Sequence, residues 1–246
     1  SIITPNLKGS HNVILLVRLD KFRGGMVGSS YSRFFPINEI PTQWNSPDRF
    51  IIIWGLIQEL IKSKKIISGH DISDGGLITC LVEMAISSYY GLDLNIKSNF
   101  ELDQYLFSEE LGLVLEVPVN YYVEIIEKFE ENQIEVEMLG YTQEERNVFI
   151  SYNGHVVLQE NNDDLRFKWQ ETSYKLEKEQ TNPVCIEEEI KNCYHLGKVQ
   201  DKLPQDIINQ LKYNDLMQFK LQNEKPKVAI MRCDGSNGEI EMAYAF

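Results

Sequence analysis

Apolar and polar positions switch between two periods along the chain, and the switching predicts a mixed fold. Val13 to Leu19 (Val-Ile-Leu-Leu-Val-Arg-Leu) is short, β-branched and apolar, which predicts a buried strand ending at Asp20. Phe50 to Ile61 carries apolar residues around nearly its whole circumference, behind a cap, an N1 proline and an acid in Ser46-Pro47-Asp48. That pattern predicts a buried helix. Lys65 to Ser68 reads as a short strand, and Leu77, Ile78, Leu81, Val82, Met84 and Ala85 form the apolar face of a helix ending near Gly91. Leu92 to Ile96 alternates with period two, predicting a strand with one wet face. A short acidic helix over Leu102 to Glu110 leads into a strand over Gly112 to Val117, which Pro118 stops. Tyr121 to Asn132 is an amphipathic helix with Tyr122, Ile125, Ile126 and Phe129 inward. Strands follow at Ile134 to Tyr141, Asn147 to Tyr152 and Val156 to Leu158, the last two joined by the hairpin dipeptide Asn153-Gly154.

The texture changes at Asn161. A long polar helix, Asp164 to Gln180, carries Phe167, Trp169 and Tyr174 and ends at Asn182-Pro183. Pro183 to Lys225 is acidic and weakly periodic, as expected of a linker that packs on neighbours. Pro226 to Met231 reads as a strand, Asp234 to Gly238 as a turn and Glu239 to Phe246 as an incipient helix, the opening βα unit of a further domain. The pattern therefore predicts an α+β protein: a layered mixed α/β domain over residues 1–182, an acidic linker over 183–225, and a βα unit over 226–246.

Charge narrows the function. Lys and Arg number 24 against 37 Asp and Glu, a formal charge of −13, so no net basic surface offsets repulsion from a nucleic-acid backbone. Acidic runs such as Glu124 to Glu131 and Glu187-Glu188-Glu189 read as solvated helix faces. The four cysteines are widely spaced with no C-x-x-C pair, which signals neither a zinc site nor a disulfide framework and makes reduced, cytoplasmic thiols the expectation. No apolar run approaches the roughly 20 residues that span a bilayer. The chain opens on Ser rather than Met, and is expected to be a piece of something longer.

Candidate chemistry concentrates in Gly69-His70-Asp71-Ile72-Ser73-Asp74-Gly75-Gly76, between a strand and a helix. A strand feeding such a turn leaves acids, a hydroxyl and backbone N–H groups at a helix N-terminus, where the dipole favours an anion. Asp71 and Asp74 can offer hard oxygens to Mg²⁺, Ser73 can meet a phosphate oxygen or cap the helix, and Gly75-Gly76 lets backbone approach a ligand. The same residues also make an ordinary strand-to-helix turn with an Asp or Ser cap. Lys21 to Ser30 is a glycine-rich loop with two cations that lacks both standard phosphate-binding spacings, and it carries no assigned role. His70 can orient a neighbour or contact a ligand, but none of the histidines belongs to a catalytic constellation.

At Gly69 to Leu77 the chain resembles the C-terminal domain of the aminoimidazole ribonucleotide synthetase superfamily of ATP-dependent enzymes. Leu106 to Val117 resembles the superfamily's helix-to-strand segment. Leu165 to Tyr174, with Asn182-Pro183, resembles the end of this domain in the large single-chain formylglycinamide ribonucleotide amidotransferases, also called phosphoribosylformylglycinamidine synthases. Pro226 to Arg232, with Gly235, Asn237, Glu241, Met242, Ala243 and Phe246, is similar to the start of the glutaminase domain in that family. The resemblance implies a C–N ligase of purine synthesis that converts formylglycinamide ribonucleotide, glutamine and ATP to the amidine, with glutamate, ADP and phosphate as products. It implies ATP or ADP with Mg²⁺ as cofactors, and the N-terminal synthetase half and the glutaminase domain of the same enzyme as partners. It also makes Asp71 a metal ligand and Ser73 a nucleotide contact, in a degenerate site holding a structural nucleotide. No catalytic residue is expected in this stretch, and the piece by itself is expected to be inactive. Two readings compete with this one: a stand-alone small-molecule kinase of the same superfamily, and a non-catalytic scaffold in which the turn only caps a helix.

Overall fold

A computed structural model describes residues 2–37, 40–42, 47–194, 227–232, 235 and 237–245. The chain divides into two units, Ser1–Lys198 and Val199–Phe246. In the first, strand β1 (Val13–Arg18) is followed by helix α1 (Pro47–Lys62), β2 (Ser68–Asp71), α2 (Gly76–Ile86) and β3 (Gly91–Ile96). Next come α3 (Leu102–Phe107), β4 (Gly112–Val117), α4 (Tyr122–Glu131), β5 (Val136–Gln143), β6 (Asn147–Tyr152), β7 (His155–Asn161), α5 (Asn162–Gln180) and α6 (Pro183–Cys193).

The seven strands form one sheet in the order β2-β4-β1-β5-β3-β6-β7, antiparallel throughout except for the parallel β3–β6 pair. β1 sits between β4 and β5, and all six of its residues are buried. Its alternate residues feed two cores. Ile14 and Leu16 pack with Leu77, Leu81 and Met84 of α2 and with Leu94, Val148 and Ile150, while Val13, Leu15 and Val17 pack with Ile53, Ile57 and Leu60 of α1 and with Ile125 and Phe129 of α4. Helices thus cover both faces, which is why β1 reads as an unbroken apolar run although it is antiparallel to its neighbours. Each fully buried Leu or Ile contributes about 1.5–3 kcal/mol through burial, so the two cores dominate stability.

The elements fall close to where the pattern places them, with three differences. α1 is not buried all round: Ile53, Ile57, Leu60 and Ile61 face the core, while Ile51, Ile52 and Trp54 are 68%, 53% and 46% exposed. The strand expected at Lys65 to Ser68 lies further on, at Ser68–Asp71, because β4 offers continuous ladder partners from Glu116 down to Leu113. Ladder hydrogen bonds outweigh the poor strand propensity of Gly69 and Asp71. Finally, Pro183–Cys193, within the stretch expected as linker, is a helix with Ile186 and Cys193 buried. It starts on the Asn182 cap, whose side chain accepts the Val184 N–H at 3.0 Å, with proline at N1. The rest of that stretch lies outside the described residues.

The Asn153-Gly154 hairpin forms as expected, with φ of 50° and 84°, the left-handed pair that a tight two-residue turn requires. In the second unit, helix α7 (Glu239–Ala245) matches the expected helix. The described residues Lys227 to Arg232 form no strand, since a strand exists only against a ladder partner.

Candidate functional site

The turn between β2 and α2 lies at the edge of the sheet. β2 is its outermost strand on that side, and Asp71 is its last residue, opposite Leu113 of β4. His70 lies over α2, its Nε2 3.0 Å from Glu83 Oε2, while its Nδ1 reaches Asp71 Oδ1 at 3.2 Å. The Asp71 side chain is 69% exposed. It stands at the rim of a cleft of about 530 Å³ lined mostly by apolar groups, among them Ile3, Trp54, Ile57, Ile61 and Leu115.

Two residues on, Ser73 and Asp74 are exposed, and the Ser73 carbonyl accepts the Gly76 N–H at 3.0 Å. The N-cap of α2 is Gly75, in the left-handed region with φ 85°, a residue with no side chain of its own to cap the helix. Neither Ser73 nor Asp74 is therefore spent as a cap. Gly76 also has φ 76°, and a Cβ there would stand 2.7 Å from the Leu106 carbonyl oxygen and the Phe107 backbone, so the double glycine is required by a close approach of two backbones.

That close approach leads to residues the sequence reading passed over. Glu109 Oε1 accepts the Gly75 N–H at 2.7 Å and the Ser30 N–H at 2.8 Å. Glu110, buried, accepts the Arg23 N–H at 2.9 Å and the Gly25 N–H at 2.8 Å. Ser108 Oγ donates to the Gly25 carbonyl at 2.8 Å, and the Phe107 ring lies 4.8 Å from that of Tyr31. The glycine-rich loop and the Asp71 turn, about 45 residues apart in sequence, are thus both fastened to Phe107-Ser108-Glu109-Glu110. Two adjacent acids at the end of the helix expected over Leu102 to Glu110 were a sign of this, but the sequence reading gave them no role of their own.

Burial pushes the Cys80 thiol well up from its ordinary value, and the nearby Glu83 and Asp71 carboxylates add to the rise. Its Sγ lies 3.8 Å from the His70 carbonyl oxygen. Among the described residues no group of three His, Cys, Asp or Glu side chains is arranged to hold a metal ion. The exposed Asp71 carboxylate has the chemistry to offer a hard cation one oxygen, and the exposed Ser73 hydroxyl to meet an anion.

Residues 11–153 match the family described as AIR synthase related protein, C-terminal domain. Over 99% of its length the chain is 33% identical to phosphoribosylformylglycinamidine synthase of Homo sapiens, covering 18% of that protein. It is 34% identical, over 99% of its length and 17% of the relative, to the probable phosphoribosylformylglycinamidine synthase, chloroplastic/mitochondrial, of Arabidopsis thaliana. The corresponding figures for the Dictyostelium discoideum enzyme are 32%, 99% and 20%. The chain thus spans a fifth or less of the length of these relatives. Among solved structures, Thermotoga maritima PurL complexed with FGAR superposes with a TM-score of 0.56 at 13% identity, over 67% of this chain and 29% of that one. The same protein complexed with ATP gives 0.53 at 13%, over 67% and 27%. At these identities the likeness is one of fold. With the match extending over more than half of its residues and the sheet and helices to go with it, the chain belongs to the AIR synthase related C-terminal domain family.

Proposed function

We propose that the chain forms part of a phosphoribosylformylglycinamidine synthase, the ATP- and glutamine-dependent ligase of purine synthesis, and that it contributes a nucleotide and Mg²⁺ half-site rather than catalytic groups. The observation that carries the reading is identity of 32–34% along 99% of the chain to three relatives of that name. In this reading the N-terminal synthetase half and the glutaminase domain of the same enzyme are the partners, and the cytoplasm is the compartment.

Within the half-site, Asp71 would hold Mg²⁺ and Ser73 would meet the nucleotide. The fit rests on geometry: the Asp71 carboxylate is exposed and meets His70 through one oxygen, and the apolar cleft beside it suits a nucleoside. Asp71 would be the residue to hold Mg²⁺, which when bound would offset phosphate charge; because Mg²⁺ takes few protein ligands and keeps waters, one acid from this domain would suffice. His70, held between Asp71 and Glu83, keeps the carboxylate oriented. Ser73 is free of the capping role that the scaffold reading requires, which favours the nucleotide reading over it.

Titrating ADP into this chain with and without Mg²⁺ tests the proposal. Binding should be weak, about millimolar, or about −4 kcal/mol, and should require Mg²⁺. Asp71→Asn should abolish the Mg²⁺ dependence and Ser73→Ala should weaken binding about tenfold, the loss of one hydrogen bond to a charged group. If both variants bind like the parent chain, the turn is a structural connection and the proposal fails.

A further inference from the structure

The glycine-rich loop is left without a role by everything above, yet its backbone is among the most deliberately anchored segments of the unit. Arg23 N–H and Gly25 N–H go to Glu110, the Gly25 carbonyl to Ser108, and Ser30 N–H to Glu109. A Cβ on Gly25 would stand 2.7 Å from the Pro41 carbonyl oxygen and 2.9 Å from Glu110 Oε1, so the loop is seated without room to spare. The Glu109 bond to Ser30 is made by the same oxygen that takes Gly75 N–H, at the first turn of α2. A single carboxylate oxygen is therefore shared between the loop and the turn that carries Asp71 and Ser73. It also occupies a place where the dipole of α2 favours negative charge.

We propose that Glu109 is a positioning residue that makes the loop over residues 23–30 and the Asp71–Ser73 turn respond as one unit to ligand. A charge-assisted hydrogen bond from each segment to one atom cannot be kept if either segment moves away, so ordering the turn orders the loop. Because Gly75 N–H is already taken by Glu109, a phosphate would meet Ser73 rather than the Gly75 amide. The proposal rests on the nucleotide reading for its ligand, but its first measurement needs none.

That measurement is amide hydrogen exchange on the full 246-residue chain without nucleotide. Glu109→Ala should speed exchange at both Ser30 and Gly75 about tenfold, the consequence of removing one acceptor common to both. Glu109→Gln keeps an acceptor oxygen and should exchange like the parent chain. The second measurement adds ADP and Mg²⁺. In the parent chain and in Glu109→Gln, protection should extend from the turn to Gly25 and Ser30; in Glu109→Ala it should stop at the turn. A urea midpoint checks that each variant is folded. If Glu109→Ala leaves either amide unchanged, or if loop protection on binding survives in it, or if Glu109→Gln behaves like Glu109→Ala, the positioning role is wrong. A parent chain that binds no ADP would overturn the proposed function instead, while the ligand-free exchange pattern would still decide the role of Glu109.

Discussion

The residues that matter most here are carboxylates, and what each does depends on how far it is from water. Asp71 is open to solvent and meets the neighbouring His70 ring through one oxygen; Glu116, on β4, is fully buried and meets the chain itself. Its oxygens accept Lys8 N–H at 2.8 Å, Gly9 N–H at 3.2 Å and Asn12 Nδ2 at 2.6 Å, which fastens the N-terminal segment to the sheet. Burial pushes the Glu116 carboxyl above the ordinary range, and the hydrogen bonds from Asn12, Lys8 and Gly9 offset only part of the rise. A carboxyl raised in the folded state contributes stability that is fully present below its unfolded value and is lost as pH rises through the folded one. Relative to Glu116→Gln, which does not titrate, the parent chain should therefore gain stability as pH falls from 7 toward 4.5, the ordinary value. Urea unfolding of both proteins across that range checks this, and a difference that stays flat or moves the other way would contradict it.

At the scale of elements, side-chain pattern alone misjudged α1, and the structure makes neighbouring positions there unequal. Ile53 is fully buried and Ile52 is half exposed. Ile53→Ala should cost about 3 kcal/mol through lost burial and a cavity, whereas Ile52→Ala should stay within about 0.5 kcal/mol. Similar losses at the two positions would mean that the outer face of α1 is covered after all. The entrance to α2 is decided by backbone rather than by side chains. Gly76→Ala must hold a left-handed φ and push its Cβ against the Leu106 carbonyl, so it should destabilise by about 2 kcal/mol or more. A urea midpoint within error of the parent chain would show that the contact between the turn and α3 relaxes easily.

At the scale of the whole molecule, the unit Ser1–Lys198 holds both cores, one on each face of the sheet, and its stability rests on them. Much of the first unit is legible in one sequence because its elements are marked locally. β1 is an apolar run, β3 alternates, α4 has one inward face, and Asn153-Gly154 names its own turn. The Asp71–Ser73 turn is legible for the same reason, since its acids, hydroxyl and glycines are contiguous. What lies beyond local reach was decided by tertiary structure. The parallel β3–β6 pair within an otherwise antiparallel sheet has no local mark, because strand order depends on which long-range contacts bury the two faces of β1 together. The shift of β2 onto Gly69-His70-Asp71 comes from the ladder that β4 offers. Glu109 and Glu110 look like surface acids until the fold brings two distant backbone segments to them, and only then does a pair of charges become the anchor of both. Local sequence carries propensity and chemistry; which backbone N–H groups a carboxylate receives is settled by where the chain returns in space.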